Sequence, residues 1–527
     1  MLKYDNLTIE QRNIIEALGN CVVIACPGSG KSTTISFKIA KALNNLKDYQ
    51  GVIAISYTNK ASDELKEKVY SISHNTKDSF FGTIDKFCLS EIIIPGTIKN
   101  NIRPVILSDD MIEIEGKRKQ DISNMTIDEL LMEQEKQICS GKIFLKSFAA
   151  FAYKILCKKK VILDYLKCKY KAIFIDEYQD CDEYQDNIFK YLVLNGLVGV
   201  AVGDPNQSIF EYAKKSSKYL VGLAADNSFK SFYLDKNHRC HQSIVDYSMK
   251  FLSPTYCVNP QTDVRVGRHL VTGSEVEVAN YIDSIKDRII KKYSIEKLSD
   301  IAILTRSNRT GEIINQNLKT KSIFFYDTKL EKLAKTSMDA LACIDVIKYC
   351  FKDDSGMVAD DIVRAYCPID MSNKNVRSLT FSLQKLKKEK KDFTEVISEI
   401  LNRQLNPAVE RELNNTLSSE EALNNLLTIN NGKISIMSIH KAKGLEFRFV
   451  IILDLHEYII PSKNLAGYIN YNEDVNLHYV SLTRAKDFVL LISSTKRTNK
   501  DYKIINANVS EFISERPDLR KYRKGDI

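Results

Sequence analysis

The segment ACPGSGKS, residues 25–32, carries the strongest chemical signal in the chain. It follows the apolar run CVVIAC (21–26) and precedes TTISFKIAKAL (33–43), the strand–loop–helix setting of a phosphate-binding loop. Gly28 and Gly30 allow the tight turn that aims successive backbone N–H groups at phosphate oxygens, and the following helix adds the positive end of its dipole. In such a loop Lys31 neutralises the terminal phosphates and the Ser32 hydroxyl is a magnesium ligand, so ATP and Mg²⁺ are the implied cofactors. The expected nucleotide contacts are Ala25, Pro27, Gly28, Ser29, Gly30, Lys31, Ser32 and Thr33, with Ala25 standing where GxxxxGK[ST] has its first glycine.

Hydrolysis also needs a metal-holding acid and a base. The run AIFID (172–176) ends in Asp176-Glu177. An acid pair at the C-terminal end of a buried strand reaches the phosphate loop when the two strands are neighbours in one sheet. Asp176 is then the metal-side carboxylate, and Glu177 accepts a proton from the attacking water. A solitary Asp-Glu pair is more often a solvated turn; Lys31 in the same chain reverses those odds.

Two sets of short β-branched runs must position these groups. The first is CVVIAC, VIAISY (52–57), AIFID and VGVAVG (198–203); the second is IAILT (301–305), ISIMSI (434–439), FVIIL (449–453) and FVLLIS (488–493). Apolar runs without alternation suit strands covered on both faces, hence parallel sheets in an α/β fold. Two sets imply two α/β domains, each interrupted by a lysine-rich helical stretch. The expected division is 1–90 with 171–248, interrupted by 91–170, then 249–328 with 433–527, interrupted by a reduced insertion at 329–432. SLQKLKKEKKDF (382–393) is the most basic part of the second insertion, read either as a solvated helix face or as a phosphate-contacting surface.

Composition bounds the rest. The 527 residues are 44% hydrophobic and 27% charged, which excludes a disordered or fibrous chain. Lys and Arg number 76 against 67 Asp and Glu, a net charge of +9 that permits a polyanionic partner without requiring one. No apolar stretch is long enough for a membrane span, and MLKYDNLTIEQ has no signal-peptide core. Twelve scattered cysteines with no CxxC argue against zinc or iron–sulfur sites and fit a reducing, cytoplasmic setting.

Beyond the phosphate loop, a series of blocks resembles the UvrD/Rep/PcrA-type superfamily 1A DNA helicases, in the family's motif order. LTIEQ (7–11) is similar to the Q motif, which implies that Gln11 reads the adenine edge. YTNKASDEL (57–65) and FGTIDKF (81–87) resemble blocks that contact single-stranded DNA, implying Thr58, Asn59, Thr83 and Phe87 as contacts. IDEYQD (175–180) and VGDPNQSIFEY (202–212) resemble motifs II and III, with Gln207 coupling phosphate to DNA and Tyr212 stacking on a base. LDKNHRC (234–240), ILTRSN (303–308), SIHKAKGLEF (438–447) and YVSLTRAKD (479–487) are similar to motifs IV to VI. By motif match, Arg239 and Arg484 stabilise transition-state charge, His238 stacks on adenine, Glu446 contacts nucleotide and His440 contacts DNA. The resemblance implies two RecA-like domains around one nucleotide, with 3′-to-5′ movement on single-stranded or tailed DNA.

Four positions depart from the family pattern: His238 replaces a tyrosine, Tyr212-Ala213 replaces a Trp-Arg pair, and Asp85 replaces a histidine. Within the family, FGTIDKFCLSEIIIP (81–95), IDEYQDCD (175–182) and NLHYVSLTRAKD (476–487) look most like the helicase-like subunit of the Gabija anti-phage system. That resemblance implies an OLD-family nuclease partner with a Toprim domain, in a hetero-oligomer. The second reading is a DNA-sensing ATPase that docks onto and activates a nuclease with little unwinding of its own.

Overall fold

The computed structural model describes residues 4–97, 105–107, 126–137, 142–144, 147–210, 215–258, 263–334, 337–352, 357–367, 371–428, 430, 432–464 and 466–525. Its framework is two six-stranded sheets. The first comprises β1 (Cys21–Ala25), β2 (Gly51–Ile55), β3 (Phe80–Gly82), β4 (Tyr170–Ile175), β5 (Val198–Gly203) and β6 (Lys230–Leu234). They run parallel in the order β3-β2-β4-β5-β1-β6, with Cys21–Ala25 in register on Lys230–Leu234. The second comprises β7 (Val266–Val271), β8 (Ile301–Thr305), β9 (Ser322–Phe325), β10 (Ile434–Ser438), β11 (Phe447–Ile452) and β12 (Ala485–Ser494), parallel in the order β9-β10-β8-β11-β12-β7.

Both sheets are covered on both faces, as the unalternated apolar runs require. In the first, Val22, Ile53, Ile173 and Ala201 face one core while Val23, Val52, Phe174 and Val200 face the other. In the second, Ala302, Met437 and Val450 face one side and Ile303, Ile436 and Phe449 the opposite one. The helix Phe148–Lys158 packs into the first core. The helix Gln242–Leu252, inside which the expected division at 248 falls, gives Ile244, Tyr247 and Phe251 to the second. Helices from Lys329 to Leu427 form a third core of their own, around Ile347, Val363, Leu383 and Ile397. Among the described residues no helix is long and apolar enough to cross a membrane.

Three helices border the site. α1 (Ile9–Glu16) begins with a capping box in which Thr8 and Gln11 exchange bonds, α2 (Lys31–Asn44) follows the phosphate loop, and α3 (Asn59–Ser73) is capped by the Thr58 hydroxyl. Lys38 on α2 is buried and donates to the carbonyls of Ile14 and Ala17, satisfying the C-terminal end of α1 and tying it to α2.

One buried group makes stability depend on pH. His478 is fully buried between Phe251 and Phe512, with ring centroids at 4.7 and 5.7 Å, and neither ring nitrogen has a partner among the described residues. Burial, with Arg516 nearby, pushes its pKa from 6.5 down to about 3. Above the unfolded pKa the buried imidazole is neutral in both states and adds no pH-dependent cost, and stability is lost as pH falls from 6.5 toward 3. Between pH 7 and pH 5 the unfolding free energy should therefore fall by about 2 kcal/mol more in the parent than in His478→Leu. Urea titrations at the two pH values measure the difference, and parallel slopes would show that the ring escapes burial.

Candidate active site

The phosphate loop lies between β1 and α2 and is shaped by close approaches. Gly28 has φ +69, and a Cβ there would fall 2.5 Å from the Arg239 Cβ. Gly30 has φ +85, and a Cβ there would fall 2.3 Å from Gln11 Nε2. Only glycine fits either position. The loop, α3 and the turns after β6, β10 and α6 (Tyr471–Leu482) enclose a cleft of about 430 Å³. Five cationic side chains line it, Lys31, Lys68, Arg239, Arg484 and Lys486, against the two carboxylates Glu177 and Glu446. Such an excess of positive charge in a confined space suits a polyanion.

On one wall the acids converge on Lys31. The sheet order separates β4 from β1: β5 lies between them, so the expected direct neighbourhood of the two strands does not occur. The intervening strand contributes Asp204 just beyond its end, and Lys31 still reaches Glu177 Oε1 at 3.6 Å. Glu177 sits at φ +58, a conformation that costs a non-glycine residue of order 1 kcal/mol or more and turns its carboxylate toward the loop. Burial works against the Lys31 charge, but Glu177, Asp204 and Asp176 outweigh it and hold the ammonium above its ordinary range, with Arg484 opposing. Burial and the adjacent Glu177 charge lift the Asp176 carboxyl. Glu177 is buried as well, yet Lys31, Lys443, the Gln179 amide and Arg484 together hold it low. Of the pair, Glu177 is therefore the stronger acid and Asp176 the weaker.

Ser32 and Asp176 offer a hydroxyl and a carboxylate oxygen, the hard donors magnesium takes when water and phosphate complete its shell. Both line one cavity together with Glu177, a donor set that fits the ion; Lys31 Nζ pairs with Glu177 at 3.6 Å but makes no hydrogen bond among the described residues, which leaves its protons for a phosphate oxygen. A bound Mg²⁺ would supply charge neutralisation there.

The opposite wall comes from the second sheet. Arg484 is 2% exposed, donates to the carbonyls of Val480 (3.0 Å) and Leu445 (3.1 Å), and has no carboxylate partner among the described residues. Burial, with Arg239 beside it, pulls its pKa down to about 10. Its Nη2 donates to Gln207 Oε1 at 3.2 Å, while Gln207 Nε2 donates to Asp204 Oδ2 at 2.8 Å. One amide therefore bridges the acid wall and the arginine wall. Lys443 makes a second bridge, pairing with Asp180 and donating to the Gln207 carbonyl at 2.8 Å. Arg239 Nε lies 2.7 Å from Glu446 Oε2, and its Nη1 donates to the Thr483 carbonyl at 3.5 Å.

A second cavity of about 290 Å³ adjoins the first, lined by Tyr57, Thr58, Asp176, Phe210, His440 and Lys443 among others. Tyr57 and Phe210 stack with centroids 4.9 Å apart, and His440 lies 6.0 Å from Phe210. Lys443 stands 5.0 Å from the Phe210 centroid and Lys215 stands 4.6 Å from that of Tyr57. Aromatic faces flanked by cations are what stacked bases and their phosphates require. Burial, then Arg306 and Lys443, push His440 down to about 4, so the ring is neutral at pH 7.

Most of the expected site residues meet in these two cavities: Pro27, Gly28, Gly30, Lys31, Ser32, Thr33, Glu177, Gln207, His238, Arg239, Glu446 and Arg484 in the first, Thr58, Asp176 and His440 in the second. Ala25 ends its strand buried at 1%, and Ser29 is turned inward, its hydroxyl donating to the Cys26 carbonyl. Gln11, expected at the adenine edge, is 6% exposed; it donates to the Ser29 carbonyl at 3.0 Å and accepts from the Thr8 N–H, supporting the loop from beneath. Thr83 caps the short helix Ile84–Phe87. Phe87, expected on the DNA path, is a correction: it is fully buried, edge-on to Phe80 at 5.4 Å, and belongs to the core. Tyr212 and Ala213 lie outside the described residues, as does the Asn59 side chain. Lys68, Phe210 and Asp204 were not among the expected contacts, although Phe210 and Asp204 lie inside the quoted block 202–212.

The Gln207 bridge yields a test. Gln207→Leu and Arg484→Lys should each lower kcat about 100-fold with a much smaller effect on KM for ATP, because the contact serves the closed, reacting state. Acting through one bridge, the double variant should be no slower than the worse single one; steady-state ATPase rates that multiply instead would separate the two roles.

The whole chain has recognisable relatives. A model described as UvrD/REP helicase N-terminal domain matches residues 7–147 and 118–227, and one described as UvrD-like helicase C-terminal domain matches 232–348 and 328–497. Gabija protein GajB of Bacillus cereus is 29% identical over 523 residues, covering 93% of this chain and 96% of the relative. A probable DNA helicase II homolog of Mycoplasma capricolum is 23% identical, covering 89% and 81%, and the ATP-dependent DNA helicase PcrA of Staphylococcus epidermidis 22%, covering 93% and 84%. With both halves matched in order and the cleft built from both, the chain belongs to the UvrD-like helicase family.

Proposed function

We propose that the chain is an ATP- and Mg²⁺-dependent motor moving 3′ to 5′ on single-stranded or tailed DNA. The observation that carries the reading is the Arg484–Gln207 contact across the cleft, which makes one catalytic wall depend on the position of the other. In this reading Lys31 and Ser32 hold the triphosphate and metal with Asp176, Glu177 activates water, and Arg239 and Arg484 stabilise the charge that develops. The two sheets with their flanking helices act as RecA-like domains at 1–90 with 171–248 and 249–328 with 433–527, and the segments 91–170 and 329–432 as their insertions. Tyr57, Phe210 and Thr58 receive the strand.

The similarity to the Gabija protein, at nearly full length in both chains, supports a place in anti-phage defence beside an OLD-family Toprim nuclease. The same similarity favours the second reading, an ATPase that senses DNA and activates its nuclease with little unwinding.

ATPase rates across a series of single-strand lengths separate the two. A motor's rate rises with length before levelling, whereas a sensor's rate is flat once its site is filled. Stimulation should fall steeply with salt as phosphate contacts lose counterion release. Absence of stimulation at every length and salt concentration would overturn both readings.

A further inference from the structure

Away from the cleft, the second sheet ends in an edge where arginines gather without an acid. The edge strand β7 is covered on one face by α4 (Gln242–Leu252) and on the other by α5 (Glu275–Lys292), with Val266 in the first core and Val271 in the second. The end of the chain returns along this strand. Lys524 pairs in parallel with Gly267; its N–H donates to the Val266 carbonyl and its carbonyl accepts from the Arg268 N–H, both at 2.9 Å. Side chains alternate across such a pairing, which sorts the neighbours by face. Lys524 goes with Gly267 to the α5 face, where its ammonium stands 4.7 Å from the Phe488 centroid and a Cβ on Gly267 would fall 3.0 Å from the same ring. Arg523 and Arg268 go with Val266 to the α4 face. There they approach the hydroxyl of Tyr247, a fully buried side chain of α4.

Donors on this face outnumber acceptors. The Tyr247 hydroxyl and Arg523 Nη1 are both buried without a hydrogen-bond partner among the described residues. Arg523 Nη2 is committed to the Ile513 carbonyl at 3.0 Å, and Arg516 to the Phe251 and Lys250 carbonyls and to Asp518. The guanidinium groups of Arg268 and Arg520 make no hydrogen bond or ion pair among the described residues. Burial, then Arg523 and Arg520, lower the Arg268 pKa, with Tyr247 opposing, as like charges without a counterion require. Arg268 is half-buried and Arg520 exposed, so the cluster opens to solvent above the Tyr247 hydroxyl. None of the four lines the nucleotide cleft.

Buried donors left unpaired are costly, and an anion is the occupant that satisfies donors and charge together. A carboxylate brings one charge and about four lone-pair sites. A phosphate group spreads up to two charges over three or more oxygens, and the guanidinium fork matches its edges. A nucleic acid strand carries a single charge per phosphate and calls for a row of cations, whereas these converge on one point.

We infer that Arg268, Arg523 and the Tyr247 hydroxyl, with Arg520 at the rim, form a binding site for a phosphate dianion, either the free ion or the terminal group of a monoester. The site is separate from the nucleotide cleft and does not depend on the proposed action on DNA. Retention of radiolabelled inorganic phosphate by the full chain in equilibrium dialysis tests it, with the cleft filled by a saturating non-hydrolysable ATP analogue. The parent should still hold one phosphate per chain. Tyr247→Phe keeps the ring in the core and removes only the hydroxyl, and should weaken binding about fivefold; Arg268→Gln should weaken it at least about tenfold. Basal ATPase should stay within about twofold in both, since neither residue reaches the cleft. Unlabelled phosphate and ribose 5-phosphate should displace the label, and the better competitor identifies the free ion or the monoester as the preferred form.

A parent that retains no phosphate once the cleft is filled would overturn the inference, as would equal retention by the parent and Tyr247→Phe, the variant that decides if Arg268→Gln fails to fold. Acetate competing as well as phosphate would overturn it too, making the cluster a reader of carboxylates. So would displacement by a short DNA strand but not by ribose 5-phosphate, which would make it a nucleic-acid contact.

Discussion

A guanidinium buried at 2% exposure with no carboxylate among its described neighbours dominates the architecture of the cleft. Removing Arg484 from water is costly, and carbonyl dipoles together with one glutamine amide offset only part of that cost. Neutralising it internally with an acid would be the cheaper design for stability alone. Leaving it charged and unpaired creates a site whose favoured occupant is an anion. Lys31 has the same character from the other side, a buried ammonium whose nearest carboxylate stands at 3.6 Å with no hydrogen bond made. The cleft stores unfavourable desolvation that a polyphosphate would relieve, which couples nucleotide affinity to closure of the two walls.

Parallel sheets explain how residues so distant in sequence meet there. In the first sheet the C-terminal strand ends point to one side, so the loops after β1, β4, β5 and β6 open toward one crevice, and the second sheet meets it with residues that immediately precede β11 and β12. β1 delivers the phosphate loop, β4 the acid pair, β5 Asp204 and Gln207, and β10 the turn containing Lys443 and Glu446. Interposing β5 between β1 and β4 widens the acid wall by one carboxylate, and Asp204 fixes the Gln207 amide so that its oxygen faces Arg484. Glu177 completes the arrangement at positive φ, a strained choice tolerated because Lys31, Lys443 and Gln179 hold its carboxylate.

Both sheets were legible from composition of the runs, but only their interiors. The eight apolar runs all fall in central strands, where two-sided burial leaves an unbroken apolar signature. The four strands with no such signature, Phe80–Gly82, Lys230–Leu234, Val266–Val271 and Ser322–Phe325, are the four sheet edges. An edge strand has one unpaired side and mixed exposure, as the pattern of Lys230–Leu234 shows, so its sequence resembles a loop. The site divides similarly. Residues placed by local geometry, such as Gly28, Lys31 and Ser32, can be read from a single loop. Phe87 could not, because an aromatic in a strand-contacting block looks the same whether it faces DNA or, as here, Phe80 and the core. Lys68 escaped because its relevance comes from tertiary placement: about three turns into α3, it reaches the cleft only once that helix is packed against α2.

The shared wall between the two cavities makes independent occupancy physically awkward. Ser32, Lys68, Glu177 and Gly444 line both, so a ligand in either displaces or recruits the same side chains. Lys443 tightens the connection. Its ammonium pairs with Asp180, donates to the backbone of Gln207, lies over Phe210, and helps hold Glu177 ionised. The rings of Tyr57 and Phe210 are in contact with each other, so a base entering between them must part them. Phe210 is three residues from Gln207, and that short tether carries the displacement to the amide that bridges Asp204 and Arg484. Two ligands acting on one short segment cannot bind with strictly additive free energies; whatever each gains from the shared groups, the other feels by the same amount. The reciprocity follows from the wall itself, and it holds whether hydrolysis moves the strand or only reports its presence.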